Sequence, residues 1–367
     1  AAQAWGGGKM ERQHREGIQG SEKDLQQPLL GAAENRGVAV QETSKAPGPV
    51  WQFFTRVLAA LHSMVMGVVG WLSMIGDWSR LTEAALDASD ADAVIVVLGT
   101  DGAWEVEGGD QASMELPGAQ AQLVDRVMAA AAGKPVVVVL NVGSPKAVSG
   151  IVGVAPAMLL SYFGGMCGAD ALVDVLFGKT CPGGRLPTTW PKSLQQSPAV
   201  LQGTTTAATT EYGEGIWLGY RHFDRAQQAG VLFPFGYGLS YGSFQLGQLE
   251  MEGGNVQKYS AGQDVRCGVE VRNIGDLDDS NVVQLYVRQA GADNGDNPRK
   301  ELRDFGKALI KAGDSARISF RLTARAFSRF DEDSGQWEVR PGCYDLIVAT
   351  SAGADAERSH VTIQYGE

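Results

Sequence analysis

Residues 92–98 (Asp-Ala-Val-Ile-Val-Val-Leu) and 135–141 (Pro-Val-Val-Val-Val-Leu-Asn) are apolar runs rich in β-branched residues, with a helical pattern between them. Such runs read as strands covered on both faces. The pattern between them is Gln120 to Ala132, with Leu123, Val127 and Met128 at helical spacing and Gly133 as its stop. A third run, Ala157 to Phe163, predicts another strand, and Ala169 to Phe177, closed by Gly178, another helix. Strand, helix, strand, helix implies parallel pairing through right-handed crossovers, with helices on both faces of the sheet. In such sheets ligands meet the loops at the carboxyl ends of the strands. Here those loops are Gly99 to Pro117, Asn141 to Pro145 and Gly164 to Gly168.

The first loop carries Asp101, Glu105, Glu107, Asp110 and Glu115. Crowded carboxylates repel one another, which raises the pKa of some of them. A carboxylic acid kept protonated near neutral pH can act as a general acid. Taken alone, an acidic loop reads as solvated surface.

From about Gln245 the period changes to two. Val265, Cys267, Val269 and Val271 alternate with Arg266, Gly268, Glu270 and Arg272, and Ile318, Phe320 and Leu322 alternate with Ser319, Arg321 and Thr323. Tyr344, Leu346 and Val348 repeat the pattern, as do Val361, Ile363 and Tyr365. Gly- and Asp-containing turns at 273–276, 312–314, 333–335 and 340–342 separate these strands. The expectation is an all-β sandwich of the fibronectin type III kind. Arg299, Lys300, Glu301 and Arg303 read as a solvated strand edge.

The first residues differ from the rest. Residues 1–49 have few large apolar side chains and no period, and read as disordered. Residues 50–78 hold an apolar helical segment. Within it, 57–76 is free of formal charge and about long enough to cross a bilayer, with Arg56 before it and Asp77 after. A membrane anchor and a buried helix both fit. The organisation expected is therefore 1–49 disordered, 50–78 apolar, 79–244 α/β and 245–367 β-sandwich.

A net charge of −11 argues against a nucleic-acid partner. Cys167, Cys181, Cys267 and Cys343 include no CxxC, so no metal site is expected, and disulfides are neither required nor excluded.

The loop GTDGAWEVEGGDQ, followed by LPGAQAQLV, resembles the Trp-Glu-x-Glu-Gly-x-Asp-Arg and Leu-Pro-Gly pattern of family 3 glycoside hydrolases, the β-glucosidase and β-xylosidase type. VVVVLNVGSP, the stretch from LLSYFGG to GRLPTTWPKS, YGEGIWLGYRHFD and FPFGYGLSYGSF resemble the family's next motifs in order. The segments VEVRNIGDLDDSNVVQLYVR and FDEDSGQWEVRPGCYDLIVATS are similar to its fibronectin-like terminal domain. The chain from about Ser79 to Gln364 thus looks like the family's C-terminal half.

That resemblance implies retaining hydrolysis of terminal β-D-glucosyl or β-D-xylosyl residues, with a β-glycoside or oligosaccharide as substrate and no cofactor. It makes Glu107 the acid/base, with Glu105 the alternative. Asp110 would orient the loop and Trp104 would flank the sugar. Gln111 departs from the motif's Arg, which removes a charged, forked partner for a carboxylate. The family's nucleophile comes from a (β/α)8 barrel of about 250 residues, which cannot fit before Ser79. Gly76-Asp77-Trp78 is similar to the family's Ser-Asp-Trp nucleophile motif but lacks the Ser. The nucleophile is expected from a separate barrel chain or, alternatively, from Asp77, and the isolated chain is expected to be inactive. An extracellular or secretory location goes with the family. The alternative function is a non-catalytic carbohydrate-binding or interaction protein.

Overall fold

The computed structural model describes residues 78–107, 111, 113–198, 200, 204–205, 209–254, 258–291 and 297–366. Asp77, Asp110 and the 57–76 segment lie outside these residues. Contacts divide the chain into residues 3–80 and a second compact unit that runs from Leu81 to the C-terminus.

The second unit opens with a helical stretch over 81–90 that buries Leu81 and Ala88. A parallel sheet follows in the order β1-β2-β3, made of β1 (Val94–Gly99), β2 (Val136–Asn141) and β3 (Ala157–Leu160). Helix α1 (Gln120–Ala131) joins β1 to β2, α2 (Ser149–Val154) joins β2 to β3, and α3 (Gly168–Leu176) follows β3. The predicted stop of α1 at Gly133 begins one residue earlier, because Ala132 already takes the left-handed conformation with φ 48°.

Val96 and Leu98 pair in register with Val138 and Leu140, and all four point into one core with Val124, Val127, Ile151 and Trp190. The other face of β1 departs from the expectation. Ile95 and Val97 are 48% and 60% exposed. β1 is one of the sheet's two edge strands and is buried on one face, whereas the central β2 also buries Val139 on the other. The run at 157–163 stays in the sheet only to Leu160; Tyr162 adopts a left-handed φ of 51°, and Phe163 projects outward, half exposed.

Short pairs complete this lobe: β4 (Trp190–Pro191) with β7 (Val231–Phe233), and β5 (Thr204–Thr205) with β6 (Thr210–Glu211). Helix α4 (Tyr220–Arg225) lies between β6 and β7.

The period-two segments form the expected sandwich. One sheet orders β13 (Ser315–Leu322), β10 (Val265–Asn273) and β8 (Phe244–Met251). The other orders β12 (Glu301–Ile310), β11 (Asp279–Gln289), β16 (Gly342–Ala349), β17 (Glu357–Tyr365) and β9 (Lys258–Tyr259). The hairpin of β14 (Ser328–Asp331) and β15 (Gln336–Val339) stands beside them. The inward residues named from the alternation, from Val265 to Val271 and from Ile318 to Leu322, share one core with Tyr344, Leu346, Val348, Ile363 and Tyr365.

Asn273 closes the turn after β10. Its buried amide donates to the carbonyls of Leu277 at 2.8 Å and Ile310 at 2.9 Å, and its Oδ1 accepts from the Gly275 N–H at 3.0 Å. Asn273→Ala would strand those partners without water. We expect a loss of about 2–3 kcal/mol, read as a lower denaturant midpoint, and an unchanged midpoint would refute this role.

The charge run at 299–303 is a solvated edge only at Arg299, which is exposed. Lys300 is buried, with Nζ 5.3 Å from the Tyr286 ring centroid. Glu301 pairs with Arg221 of α4 at 2.7 Å and with Arg303 at 2.6 Å. Tyr220 of α4 stacks on Phe235 and accepts a hydrogen bond from the Leu302 N–H at 2.9 Å. Around it Tyr286, Ile347, Ala349 and Ala352 form a small core shared by the two lobes. Lys300, Glu301 and Arg303 make a joint, in which each charge meets a partner or an aromatic face as it leaves water.

The four cysteines are free thiols. Burial in the sandwich core pushes the Cys267 thiol up to about 12, which makes it inert as a nucleophile. No helix among the described residues is long and apolar enough to cross a membrane.

Candidate active site at the sheet's carboxyl end

The acidic loop leaves β1 at Gly99. A Cβ there would stand 2.6 Å from the Asn141 carbonyl oxygen, so only glycine lets β1 and β2 stay paired to their ends. The Gln120 side chain clasps the same residue twice, accepting from the Gly99 N–H and donating to its carbonyl, both at 2.8 Å. The loop then tightens around Asp101, whose carbonyl accepts from the N–H groups of Trp104 and Glu105.

That turn folds the Glu105 carboxylate back toward the sheet. It accepts from Thr100 Oγ1 at 2.9 Å, Ser144 Oγ at 3.2 Å and the Gly143 N–H at 3.3 Å. It also pairs with Lys146 Nζ at 3.0 Å. Lys146 is fully buried, and its ammonium also donates to Ser144 Oγ at 3.0 Å and Gln111 Oε1 at 2.6 Å. Its three N–H groups therefore face three oxygens. Gln111 in turn donates to the Trp104 carbonyl at 3.0 Å, and Trp190 Nε1 donates to the Lys146 carbonyl at 2.7 Å.

Burial alone would raise the Glu105 carboxyl. The Lys146, Thr100 and Ser144 hydrogen bonds and the Lys146 charge outweigh burial and hold it below the usual carboxylate range. At neutral pH Glu105 is thus an anion with its oxygens in use. Glu107 is exposed, two residues on, inside a stretch pinned at both ends by one ammonium through Glu105 and Gln111. Trp104 is 46% exposed at the same tip. A cleft opens beside Glu105, Gln111 and Ser144.

Sequence reasoning misses Lys146, Thr100 and Ser144. A lysine following Ser-Pro in a turn reads as an ordinary surface residue, and nothing local announces its burial. The missing positive charge at position 111 was the one available signal. The structure supplies that charge from the opposite turn, with Gln111 as its acceptor. Among the described residues no group of three or more His, Cys, Asp or Glu could hold a metal ion.

Residues 3–241 match the model of the glycosyl hydrolase family 3 C-terminal domain. The chain belongs to glycosyl hydrolase family 3. Residues 281–352 match a fibronectin type III-like domain. Family 3 relatives include a β-glucosidase of Rhizobium radiobacter, 36% identical over 282 residues, which are 76% of this chain and 33% of that protein. An exo-α-(1→6)-L-arabinopyranosidase of Bifidobacterium longum is 37% identical over 271 residues, 74% of this chain and 34% of that one. The crystal structure of a Kluyveromyces marxianus β-glucosidase superposes with a TM-score of 0.72 at 33% identity, over 79% of this chain and 33% of that one. A second structure of that enzyme, in complex with glucose, gives 0.71 at 33% identity, over 79% of this chain and 34% of that one. The chain therefore spans about a third of the length of the family 3 relatives it matches.

Proposed function

We propose that this chain carries the proton-donor lobe of a retaining β-glycosidase site, with Glu107 as the acid/base. The observation that carries the assignment is the commitment of Glu105. Its carboxylate is ion-paired, hydrogen-bonded and held ionised, the opposite of what a proton donor needs. Between Trp104 and Gln111 Glu107 is the other glutamate, and it stands in solvent at the strand end. Family membership and the glucosidase names of the relatives support a terminal β-glucosyl substrate, and the sequence resemblance extends the reading to β-xylosyl.

Retention needs a second carboxylate about 5–5.5 Å from the donor. One attacks the anomeric carbon while the other protonates the leaving oxygen. In this reading the nucleophile comes from a barrel outside the described residues, either elsewhere in a longer parent protein or in a separate chain. Asp77, the alternative, is also outside them. Membrane association through 57–76 and a secretory location belong to the same proposal, supported by the uncharged stretch and by the resemblance; phase partitioning and cell fractionation check them.

The test uses pure chain and a chromogenic aryl β-glucoside, with and without the barrel half of a family 3 relative. The chain alone should release no phenol above the buffer rate, and the mixture should. In the mixture Glu107→Gln should lower kcat/KM by about 10²–10⁴-fold, with azide restoring turnover as glycosyl azide. Turnover that survives Glu107→Gln but not Glu105→Gln would overturn the assignment. Glu107-dependent turnover by the chain alone would place the nucleophile within it.

A further inference from the structure

We propose that Lys146 is the positioning residue of the proton donor: from the turn after β2 it supplies the positive charge that the related motif carries at position 111, and it thereby fixes the stretch that presents Glu107. The inference rests on Glu107 being the acid/base and adds to that reading the group that aims it.

Packing alone does not explain why a lysine is buried here. Its side chain is fully out of water, where an apolar residue of similar volume would fill the space without an electrostatic cost. What a charge adds is direction. The Nζ atom has three protons and three acceptors: Glu105 at 3.0 Å, Ser144 Oγ at 3.0 Å and Gln111 Oε1 at 2.6 Å. Two of the three belong to the acidic loop, and the third, Ser144, gives its own proton to Glu105 at 3.2 Å. The root of the lysine is fixed as well. Its carbonyl accepts from Nε1 of the buried Trp190 at 2.7 Å, and the next N–H, of Ala147, donates to the Met114 carbonyl at 2.8 Å. One ammonium therefore ties a buried anchor to the loop before and after Glu107.

The tie reaches Glu107 through the backbone. Gln111, held by Lys146, donates to the Trp104 carbonyl at 3.0 Å, and the N–H groups of Trp104 and Glu105 both end on the Asp101 carbonyl. The peptide groups just ahead of the donor are thus held from two directions, and only Val106 separates Glu105 from Glu107. The Glu107 side chain itself stays exposed. Lys146 governs where the donor stands, and the proton moves at Glu107. A misplacement of about 1 Å can cost about 10²-fold in rate, so a clamp two residues away bears on the chemistry. Position 111 follows the same logic. An arginine there would bring the charge from within the loop. The glutamine keeps a planar head, gives its oxygen to the ammonium and its nitrogen to Trp104, and leaves the charge to the neighbouring turn.

Two measurements test this. Amide hydrogen exchange on the chain alone reports the clamp. Lys146→Met should speed exchange at Trp104 and Glu105 at least about tenfold beyond any change at Val138 in the sheet's core, and adding Gln111→Arg should slow those amides again. Leaving-group dependence in the mixture with the barrel half reports the aim. Lys146→Met should lower kcat/KM about 10–100-fold for phenyl β-D-glucoside, whose departing oxygen needs the proton. It should lower it less than about threefold for dinitrophenyl β-D-glucoside, whose departing oxygen does not. Mere loss of folded protein would lower both alike. Gln111→Ala, which keeps the Glu105 pair and cuts the tie to the Trp104 carbonyl, should move both measurements the same way by about threefold. Lys179→Met, which breaks an exposed pair with Asp174, should move neither. Exchange at Trp104 and Glu105 unmoved by Lys146→Met, equal losses on the two glucosides, or no recovery with Gln111→Arg would each overturn the proposal. Failure of the Glu107 reading shows separately, as phenyl glucoside turnover that survives Glu107→Gln, and the exchange measurement needs no turnover.

Discussion

Lys146→Met should destabilise the α/β lobe by roughly 3 kcal/mol, the usual loss when one partner of a buried ion pair is removed. The substitution keeps the length and apolar body of the side chain, so packing around it changes little. It leaves the Glu105 carboxylate, 13% exposed at its side chain, with hydrogen bonds but no counter-charge, and leaves Gln111 without its donor. The cost depends on pH. A carboxyl held below its ordinary value of 4.5 adds stability that is present above that value and is lost as pH falls through the depressed one. The gap between parent and variant should therefore be widest near neutrality and shrink below about pH 4. Urea melts across that range, followed through tryptophan fluorescence, would show it. A pH-independent gap, or no gap, would mean that the pair does not hold the loop. Adding Glu105→Gln should restore part of the loss, because a neutral pair carries no uncompensated charge.

Asp224→Asn should act in the opposite direction and stabilise the protein at pH 7–8. Asp224 sits in α4 at 6% exposure; one oxygen accepts from Gln228, and the other has no partner among the described residues. Burial pushes its carboxyl from 3.8 up to about 6, against the pull of Lys300, the Gln228 hydrogen bond and Arg299. A raised carboxyl contributes stability that is complete below its unfolded value and disappears as pH rises through the folded one. At pH 8 the parent carries the full burden of a buried anion, up to about 3 kcal/mol for a shift of this size. The asparagine variant should recover about 1–2 kcal/mol of it, the remainder going to the burial of the amide's own N–H groups. At pH 4 the two proteins should melt together. A variant that is weaker at pH 8 would show that the attraction to those cations outweighs the burial of the charge.

Legibility tracked the range over which each signal acts. In β10 the alternation of Val265 to Val271 with charged neighbours is a property of adjacent residues, and it placed those side chains in the core directly. In β1 the run Val94 to Leu98 was equally plain as a strand. Whether Ile95 and Val97 would be covered depended on what lies beyond the sheet's edge, which the run itself does not encode. The joint is hidden for a similar reason. Lys300 and Glu301 look like surface charges until Tyr220, Arg221 and Tyr286 are brought against them. At the site, the pair of glutamates and Trp104 were legible from the crowded loop and the motif order. Their different chemical states were not, because the ammonium that separates them arrives from 41 positions along the chain.

Helix α4 belongs by sequence to the domain whose match ends at residue 241, yet it seats its tyrosine among strands of the next one. The boundary of inheritance and the boundary of folding therefore do not coincide. A chain cut near 241 would leave an open socket at Tyr286 and Ile347 on one piece and an orphaned plug at Tyr220 on the other. The two modules should travel through duplication and recombination as a pair, since exchanging either alone demands a matching half of the socket.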